Sequence, residues 1–264
     1  MSVESEPRAV VARAIGFRRR LWILGGLLAA GVLVALMLGR YPGPYVTPLE
    51  ALAQDALARS VVLNLRMPRI IAAVALGAVL AASGTTFQFI FRNPLVDSGF
   101  LGVSQGAAFG ASLAIVALGG SAAVVQGCAA LFAFLGLAAS TFMARRLHLG
   151  DWVLRLVMAG IGVSAVYSAG TGVVKYLADP LRQLPDITFW LLGGLWAITW
   201  VDVAHMLPVV LPCLIVLVLM RWRLNLLSLR DETAFSLGVV PGRERMLMLI
   251  AAVAATAVVV SKAG

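Results

Sequence analysis

Charged residues are scarce in this sequence. Only 12% of its 264 residues are charged, while 61% are hydrophobic and the mean hydropathy is +0.96. Soluble domains carry about 25% charged residues, so this chain has too few to cover a water-facing globule. Apolar runs of about 20 residues recur instead, each long enough to cross a bilayer as a helix. Because β-barrel strands would give alternating segments of about ten residues, we predict an all-α, polytopic transmembrane helical bundle.

Reactive and metal-binding side chains are also few. The two cysteines, Cys128 and Cys213, lie inside apolar runs, and the two histidines, His148 and His205, are far apart. This pattern excludes a disulfide framework and a metal site with recognisable ligand spacing. The sequence also lacks a Gly-x-x-x-x-Gly-Lys-[Ser/Thr] phosphate-binding loop. We therefore predict no metal, no cofactor and no catalytic residue, and any nucleotide would have to bind to another chain.

The net charge of +9 comes from arginines that cluster at the ends of apolar runs. Seven spans that alternate from a cytoplasmic start would place 14 of the 21 Lys and Arg residues on the cytoplasmic side. This positive-inside bias predicts a cytoplasmic N-terminus. It also favours contact with membrane lipid over nucleic-acid binding. We expect a multi-pass protein of the bacterial or archaeal cytoplasmic membrane.

The apolar runs divide the chain into a polar cytoplasmic tail, residues 1–20, and a transmembrane domain, residues 21–264. A short amphipathic surface helix is predicted at 51–59 and a half-helix at 187–200. The predicted spans are 21–38, 70–91, 100–118, 122–143, 153–177, 203–220 and 246–260.

Glycines recur every four residues at Gly102, Gly106 and Gly110 in the third span. On a helix they share one face, so the backbone of a neighbouring helix can approach closely. Gly77 belongs to a similar small-residue pattern in the second span. Helix packing is the simplest interpretation of both patterns.

The stretch "FRNPLVDSG" separates the second and third spans. Pro94 cannot continue a helix, and it biases Asn93 away from helical angles. Such a break is tolerated in a membrane only where protein or a water-filled cavity surrounds it. Two interpretations remain open, namely a turn that only joins two spans and a turn that lines a pathway.

Arg66 and Arg69 flank a Met-Pro pair at the predicted outer end of the second span. The two side chains can reach lipid headgroups. Alternatively, they form a cationic patch that pairs with acidic residues of an extracytoplasmic partner.

The segment 224–242 carries the signals of a short helix on the cytoplasmic side. Ser228 and Asp231 have the spacing of a capping box, Gly238 suits a helix stop, and Pro241 follows it. These signals predict a helix over residues 229–237. The helix could lie on the membrane or dock with a soluble partner.

Three motif blocks resemble the FecCD/BtuC-like permeases of ABC importers for iron-siderophores, haem and vitamin B12. The blocks are residues 65–111, "DITFWLLGGL" at 186–195 and "LNLLSLRDETAFSLGV" at 224–239. The resemblance extends over residues 21–264. One difference is Arg230, because the family usually has glycine there.

This resemblance implies a permease that works as a homodimer or in a pair with a second permease, on two cytoplasmic ATPase subunits. An extracytoplasmic substrate-binding protein would deliver the cargo. Arg66 and Arg69 match positions that face this binding protein, and Asn93, Pro94 and Leu95 match a segment near the cytoplasmic gate. The residues that match the ATPase coupling helix are Leu224, Asn225, Leu227, Leu229, Glu232, Ala234, Leu237 and Gly238.

Permeases of this family have ten spans, so we expect about seven of the ten here, with the C-terminal part of the family domain missing. Lys262 also stands where the family usually has a small apolar residue. The expected cargo is an iron complex, with a ferric siderophore as the first choice. The alternatives are a haem or vitamin B12 permease and a non-functional truncated permease. Two other classes, an intramembrane enzyme and a passive channel, are less favoured: the first needs paired titratable groups at one depth, and the second gives no reason for a capped cytoplasmic helix.

Overall fold

The computed structural model describes residues 5–41, 43, 46–97, 99–148 and 150–264. Within these residues the regular structure is helical, apart from an isolated antiparallel bridge between Leu38 and Val46. Six of the described helical segments are long and apolar enough to cross a membrane, and Val103–Ala117 is a shorter apolar helix. The prediction of an all-α polytopic bundle with about seven spans is confirmed.

The helices carry labels in chain order, and one π-helical segment, Val61–Arg66, connects α3 to α4. The bounds are α1 Ser5–Met37, α2 Leu49–Gln54, α3 Ala56–Ser60, α4 Met67–Phe91, α5 Val103–Ala117, α6 Ala122–Arg146, α7 Trp152–Leu177, α8 Gln183–Leu192, α9 Trp200–Leu219, α10 Arg221–Leu227, α11 Asp231–Ser236 and α12 Pro241–Ala263.

The chain divides into two compact units, and the first comprises Met1–Ile70. Here α1 begins at Ser5, so helical structure extends into the predicted polar tail. The predicted surface helix at 51–59 is in fact two short helices that meet at Asp55. The split has a local cause, since the Asp55 carboxylate accepts a hydrogen bond from the Leu57 N–H at 2.8 Å and so caps α3.

The second unit, Ile71–Gly264, contains the main apolar core. Its central span is α12. In the apolar stretch of this helix 56% of the residues are buried, compared with at most 28% in the apolar stretches of the other five long spans. Fully buried side chains from several helices meet there, among them Phe87, Leu156 and Leu249. The outward side chains of the other spans remain available for lipid, which suits a membrane protein.

Helices α5 and α6 approach each other closely at a row of glycines. A Cβ atom on Gly106 would collide with the carbonyl group of Phe132, and Gly110 likewise faces a backbone carbonyl of α6. Gly102 lies just before α5 with a φ of 79°, and its carbonyl oxygen lies against Gly136. Only residues without a side chain permit this distance between the two backbones.

The predicted half-helix at 187–200 is displaced toward the N-terminus, because α8 covers Gln183–Leu192. Gly193 ends it with a φ of 71°, a conformation that glycine adopts without strain. The next helix, α9, begins with a capping box in which the Thr199 and Asp202 side chains each accept from the other's backbone N–H. The non-helical stretch between them separates α8 from the following span.

Candidate functional site

The turn between α4 and α5 contains the predicted gate residues Asn93, Pro94 and Leu95. Helix α4 ends at Phe91, and Arg92 adopts a φ of 50°, which is uncommon for residues other than glycine. The Asn93 side chain then accepts a hydrogen bond from the Leu95 N–H at 2.9 Å. Leu95 is 89% exposed. The structure thus places the three residues in a hydrogen-bonded turn that presents an apolar side chain outward.

The eight predicted coupling residues fall on two short helices and their ends. The helix predicted over 229–237 is α11, which is shorter and covers only Asp231–Ser236. The helix that the sequence did not reveal is α10. Helix α10 holds Leu224, Asn225 and Leu227, and Leu229 lies in the connection. Helix α11 holds Glu232 and Ala234, and Leu237 and Gly238 follow its end.

The α10–α11 segment has a buried side and an exposed apolar side. Leu227 and Ala234 are fully buried and belong to the main core of the second unit. Leu229, Phe235 and Leu237 are exposed, although their side chains are large and apolar. The segment lies outside the candidate spans. It is therefore fixed to the bundle on one side and presents exposed apolar side chains on the other.

The predicted capping box at Ser228 and Asp231 does not form. Ser228 ends α10, and its hydroxyl group donates to the Asn225 carbonyl at 2.7 Å. The residue that precedes α11 is Arg230, which makes no side-chain cap hydrogen bond. Gly238, in contrast, has a φ of 82° and follows the last helical turn, as the sequence predicts.

The Asp231 carboxylate instead pairs with Arg245 of α12. The guanidinium group donates to both carboxylate oxygens, at 2.6 and 3.0 Å. Arg245 is only 3% exposed. The hydrogen bonds from Arg245 lower the pKa of the Asp231 carboxyl below its usual range, so this carboxylate is ionised at neutral pH. A two-pronged, charge-assisted pair of this kind fixes both distance and direction.

Arg92 and Trp152 complete the cluster around Asp231. Arg92 lies 3.4 Å from the same carboxylate and also donates to the Leu229 carbonyl. The Arg245 guanidinium lies 5.5 Å from the centre of the Trp152 ring, in cation–π contact. One carboxylate thus joins the α4–α5 turn, α11 and α12, while Trp152 adds the start of α7.

Arg66, a predicted docking residue, is hydrogen-bonded inside the first unit. Its guanidinium group donates to the Leu36 carbonyl at 2.7 Å and to the Thr47 hydroxyl at 2.9 Å. The Thr47 hydroxyl is buried and donates in turn to the Tyr41 carbonyl at 2.9 Å. A Cβ on Gly39 would collide with the same guanidinium group, so glycine makes room for it. Arg66 therefore ties the end of α1 to the segment that follows.

Arg69, the second predicted docking residue, lies at the start of α4 and is half-buried. Its Nε atom is buried without a hydrogen-bond partner in the described part of the chain. The structure places Arg66 and Arg69 on one continuous helical segment, three residues apart.

Lys262 forms an ion pair, and this pair offsets the cost of a charge near the end of a span. Its ammonium group donates to the Asp202 carboxylate at 2.9 Å and to the Gln126 side chain. The same carboxylate accepts from the Thr199 hydroxyl at 2.8 Å. Charged groups inside membrane spans are tolerated when they pair in this way. The sequence showed Lys262 as an anomaly but gave no signal for its partners.

No group of three or more His, Cys, Asp and Glu side chains in the described ranges could hold a metal ion. The paired residues that sequence reasoning missed are Asp231 and Arg245, which it treated as a helix cap and as one of several boundary arginines. The available signal was an acidic residue and a basic residue on successive helices, α11 and α12. Their spacing alone does not identify them as a pair.

Comparison with known proteins places these features in a family. The model of the FecCD transport family matches residues 27–264. A probable iron chelatin transport system permease protein of Helicobacter pylori is 40% identical over 206 residues, which is 77% of this chain and 61% of that protein. The hemin transport system permease protein HmuU of Yersinia pestis is 39% identical over 208 residues, covering 75% and 61%.

Two further comparisons cover more of the chain. The ferric enterobactin transport system permease protein FepG of Escherichia coli is 32% identical over 255 residues, covering 93% of this chain and 76% of that protein. A solved inward-facing structure, classed as a metal-chelate type ABC transporter, superposes with a TM-score of 0.84 at 33% identity. That alignment covers 94% of this chain and 76% of the other.

The chain spans about 61% of the length of the Helicobacter pylori and Yersinia pestis relatives. The match over residues 27–264, the shared fold and the identity above 30% to permeases of this type nevertheless agree. On these grounds, the chain belongs to the FecCD transport family.

Proposed function

We propose that this chain is the transmembrane permease subunit of an ATP-driven importer for a metal chelate. It would work in a pair with a second permease subunit and bind cytoplasmic ATPase subunits on one side and a substrate-binding protein on the other. ATP hydrolysis would occur on the separate ATPase chains, so this chain would move its cargo without chemical change.

The α10–α11 segment is the observation that carries this proposal. It combines buried anchors, Leu227 and Ala234, with exposed apolar side chains outside the spans. Exposed apolar patches mark contact sites for a protein or a membrane, and we propose a protein partner for this one. The Asp231–Arg245 pair connects this surface to α12, the most buried span. A displacement of α11 would therefore be transmitted to the centre of the bundle.

The orientation follows from the same proposal. With the α10–α11 segment in the cytoplasm, the N-terminus is also cytoplasmic and the segment around Arg66 lies outside. Most of the arginines then lie on the same side of the membrane as the N-terminus, and this excess on the cytoplasmic side supports the arrangement. The protein would then lie in the cytoplasmic membrane, with Arg69 available for an acidic partner at the outer face.

The cargo we favour is an iron complex, with a ferric siderophore as the first candidate. Relatives named for iron chelatin and ferric enterobactin transport support it. Hemin and cobalamin permeases are also among the similar proteins, at 39% and 34% identity, so haem and vitamin B12 are the alternative cargoes. Uptake of each labelled compound by cells that express the complete transport system would separate the three.

Co-purification with the ATPase tests the permease assignment directly. We expect Phe235→Ser combined with Leu237→Ser to abolish recovery of the ATPase with the tagged chain. The thermal unfolding midpoint should not change, because both side chains are exposed. The substitutions remove contact surface but no part of the core, so ATPase binding should be lost while the fold is retained.

A matched control removes an exposed leucine elsewhere. Leu181 is 93% exposed in the connection between α7 and α8, on the side that the proposal places outside. Leu181→Ser should leave ATPase recovery unchanged. If the Phe235 and Leu237 variant still recovers the ATPase in full, the coupling assignment fails.

A further inference from the structure

A cleft of about 600 Å³ lies where the C-terminal end of α6 meets the N-terminal ends of α7 and α12. Two arginines and a tryptophan form its polar part, and side chains from the first turns of α12 form its apolar part. Its lining includes Arg145, Trp152, Arg243, Met246, Leu247 and Ile250.

Among the described residues, no carboxylate pairs with either arginine of the cleft. In the described ranges, Arg223, Arg230 and Arg245 each pair with a carboxylate, whereas Arg145 and Arg243 do not. Both are exposed. Their guanidinium groups therefore keep their full capacity for charge-assisted hydrogen bonds, and a planar guanidinium suits the two oxygens of a phosphate group.

The apolar wall of the cleft belongs to a membrane span. Leu247 and Ile250 lie in α12, within a segment long and apolar enough to cross the bilayer, and both are exposed. Trp152 begins α7, and tryptophan rings favour the level of the lipid headgroups. A ligand that fits this surface must be anionic at one end and apolar at the other.

We propose that this cleft binds an anionic phospholipid. The phosphate group would lie between Arg145 and Arg243, and an acyl chain would follow Leu247 and Ile250. Basic pockets between transmembrane helices on the cytoplasmic side bind anionic lipid headgroups in this manner. The inference rests on the proposed function only for its location in the cytoplasmic leaflet.

Native mass spectrometry of the detergent-purified chain, titrated with phosphatidylglycerol or phosphatidylcholine, tests the proposal. We expect the chain to retain phosphatidylglycerol in preference to phosphatidylcholine. The double variant Arg145→Gln/Arg243→Gln should weaken phosphatidylglycerol binding by roughly tenfold or more, since each removed arginine weakens attraction to anionic lipid. Phosphatidylcholine binding should not change. Arg145→Lys/Arg243→Lys retains the charge and should preserve most of the preference.

The matched control is Arg146→Gln/Arg221→Gln. It removes the same charge from the same side, yet neither residue lines the cleft, and the Arg146 guanidinium lies over the Phe142 ring at 5.3 Å. We expect phosphatidylglycerol binding by this control to stay near the wild-type value. An equal loss in both double variants would mean diffuse electrostatic attraction and would overturn the site.

Two further results would each contradict a lipid site in this cleft. Equal retention of the two lipids by the wild-type chain would overturn the proposal. So would loss of ATPase recovery in Arg145→Gln/Arg243→Gln with unchanged lipid binding, because the cleft would then be a protein contact. Lipid retention is measured without ATPase, binding protein or transport. Failure of the importer assignment therefore cannot be mistaken for failure of this site.

Discussion

Arg245 of α12, which is 3% exposed, donates two hydrogen bonds to the Asp231 carboxylate at the start of α11. The acceptor side chain is half-exposed, at 54%. The pair thus joins a surface helix to the interior of the bundle through one fixed contact. Since Arg92 also reaches Asp231 from the α4–α5 turn, the carboxylate links the predicted gate segment to the predicted coupling segment.

Replacing Arg245 by glutamine should loosen α11. The substitution removes both charge-assisted hydrogen bonds, and we expect a loss of about 1–2 kcal/mol after allowance for the exposure of Asp231. Urea unfolding in detergent would measure this loss, and limited proteolysis should cut sooner near α11. Arg230→Gln is the matched control, because Arg230 and Glu232 are 3.8 Å apart and highly exposed. A control that loses as much stability would contradict the special role of Arg245.

The contribution of Asp231 should disappear in acid. Its carboxyl has a lowered pKa in the folded chain, chiefly through the hydrogen bonds from Arg245. A lowered folded-state pKa stabilises the fold fully above the ordinary aspartate value of about 3.9, and this stabilisation is lost as the pH falls through the lowered value. The difference in unfolding midpoint between wild type and Asp231→Asn should therefore be constant from about pH 5 to 8 and shrink below about pH 4. A difference that persists unchanged at about pH 3 would exclude this assignment.

Gly106→Ala should destabilise the α5–α6 contact. The added Cβ would collide with the Phe132 carbonyl, a backbone group that cannot rotate away. Overpacking of this kind costs about 1–3 kcal/mol. Gly127→Ala in α6 is the control, because a Cβ there meets nothing within 4 Å and alanine favours the helix by up to about 1 kcal/mol. Opposite shifts of the two unfolding midpoints are expected, and shifts of equal sign and size would contradict the close approach.

The sequence was sufficient for features that local chemistry controls. Long apolar runs predicted the spans, since a helix is the only single segment that satisfies its own backbone in lipid. Gly238, with a φ of 82°, was predicted as a helix stop from its permissive backbone. Pro241 was predicted only to follow this stop, whereas the structure places it at the first position of α12.

Contacts between distant segments could not be predicted from the sequence. Gly77 and Gly106 belong to similar small-residue patterns, yet a Cβ on Gly77 meets nothing within 4 Å. The spacing of Ser228 and Asp231 predicted a local cap, but the carboxylate pairs with Arg245 instead. A buried guanidinium that supplies two charge-assisted bonds outcompetes a single hydrogen bond to a backbone N–H. Such competition depends on tertiary packing, which spacing does not encode.

Arg66 and Arg69 should respond differently to charge reversal if this surface docks a binding protein. Arg69→Glu should weaken docking by roughly tenfold, mainly through slower and less salt-sensitive association. It should lower stability less than Arg66→Glu does, because the half-buried Arg69 has an Nε without a hydrogen-bond partner in the described residues. Arg66→Glu should lower both docking and stability, because the Arg66 guanidinium is hydrogen-bonded to Leu36 and Thr47. Surface plasmon resonance with the purified binding protein, together with thermal unfolding of each variant, would separate the two effects.

Thr47→Val provides the matched control for that experiment. It removes one acceptor of Arg66 and one donor to the Tyr41 carbonyl, while both arginine charges remain. Stability should fall by about 1–2 kcal/mol, since Thr47 is buried and its partners lose a hydrogen bond, and docking should change little. If docking falls with stability in all three variants, the shape of the segment controls binding. If Arg69→Glu leaves docking unchanged, Arg69 has no place in the interface.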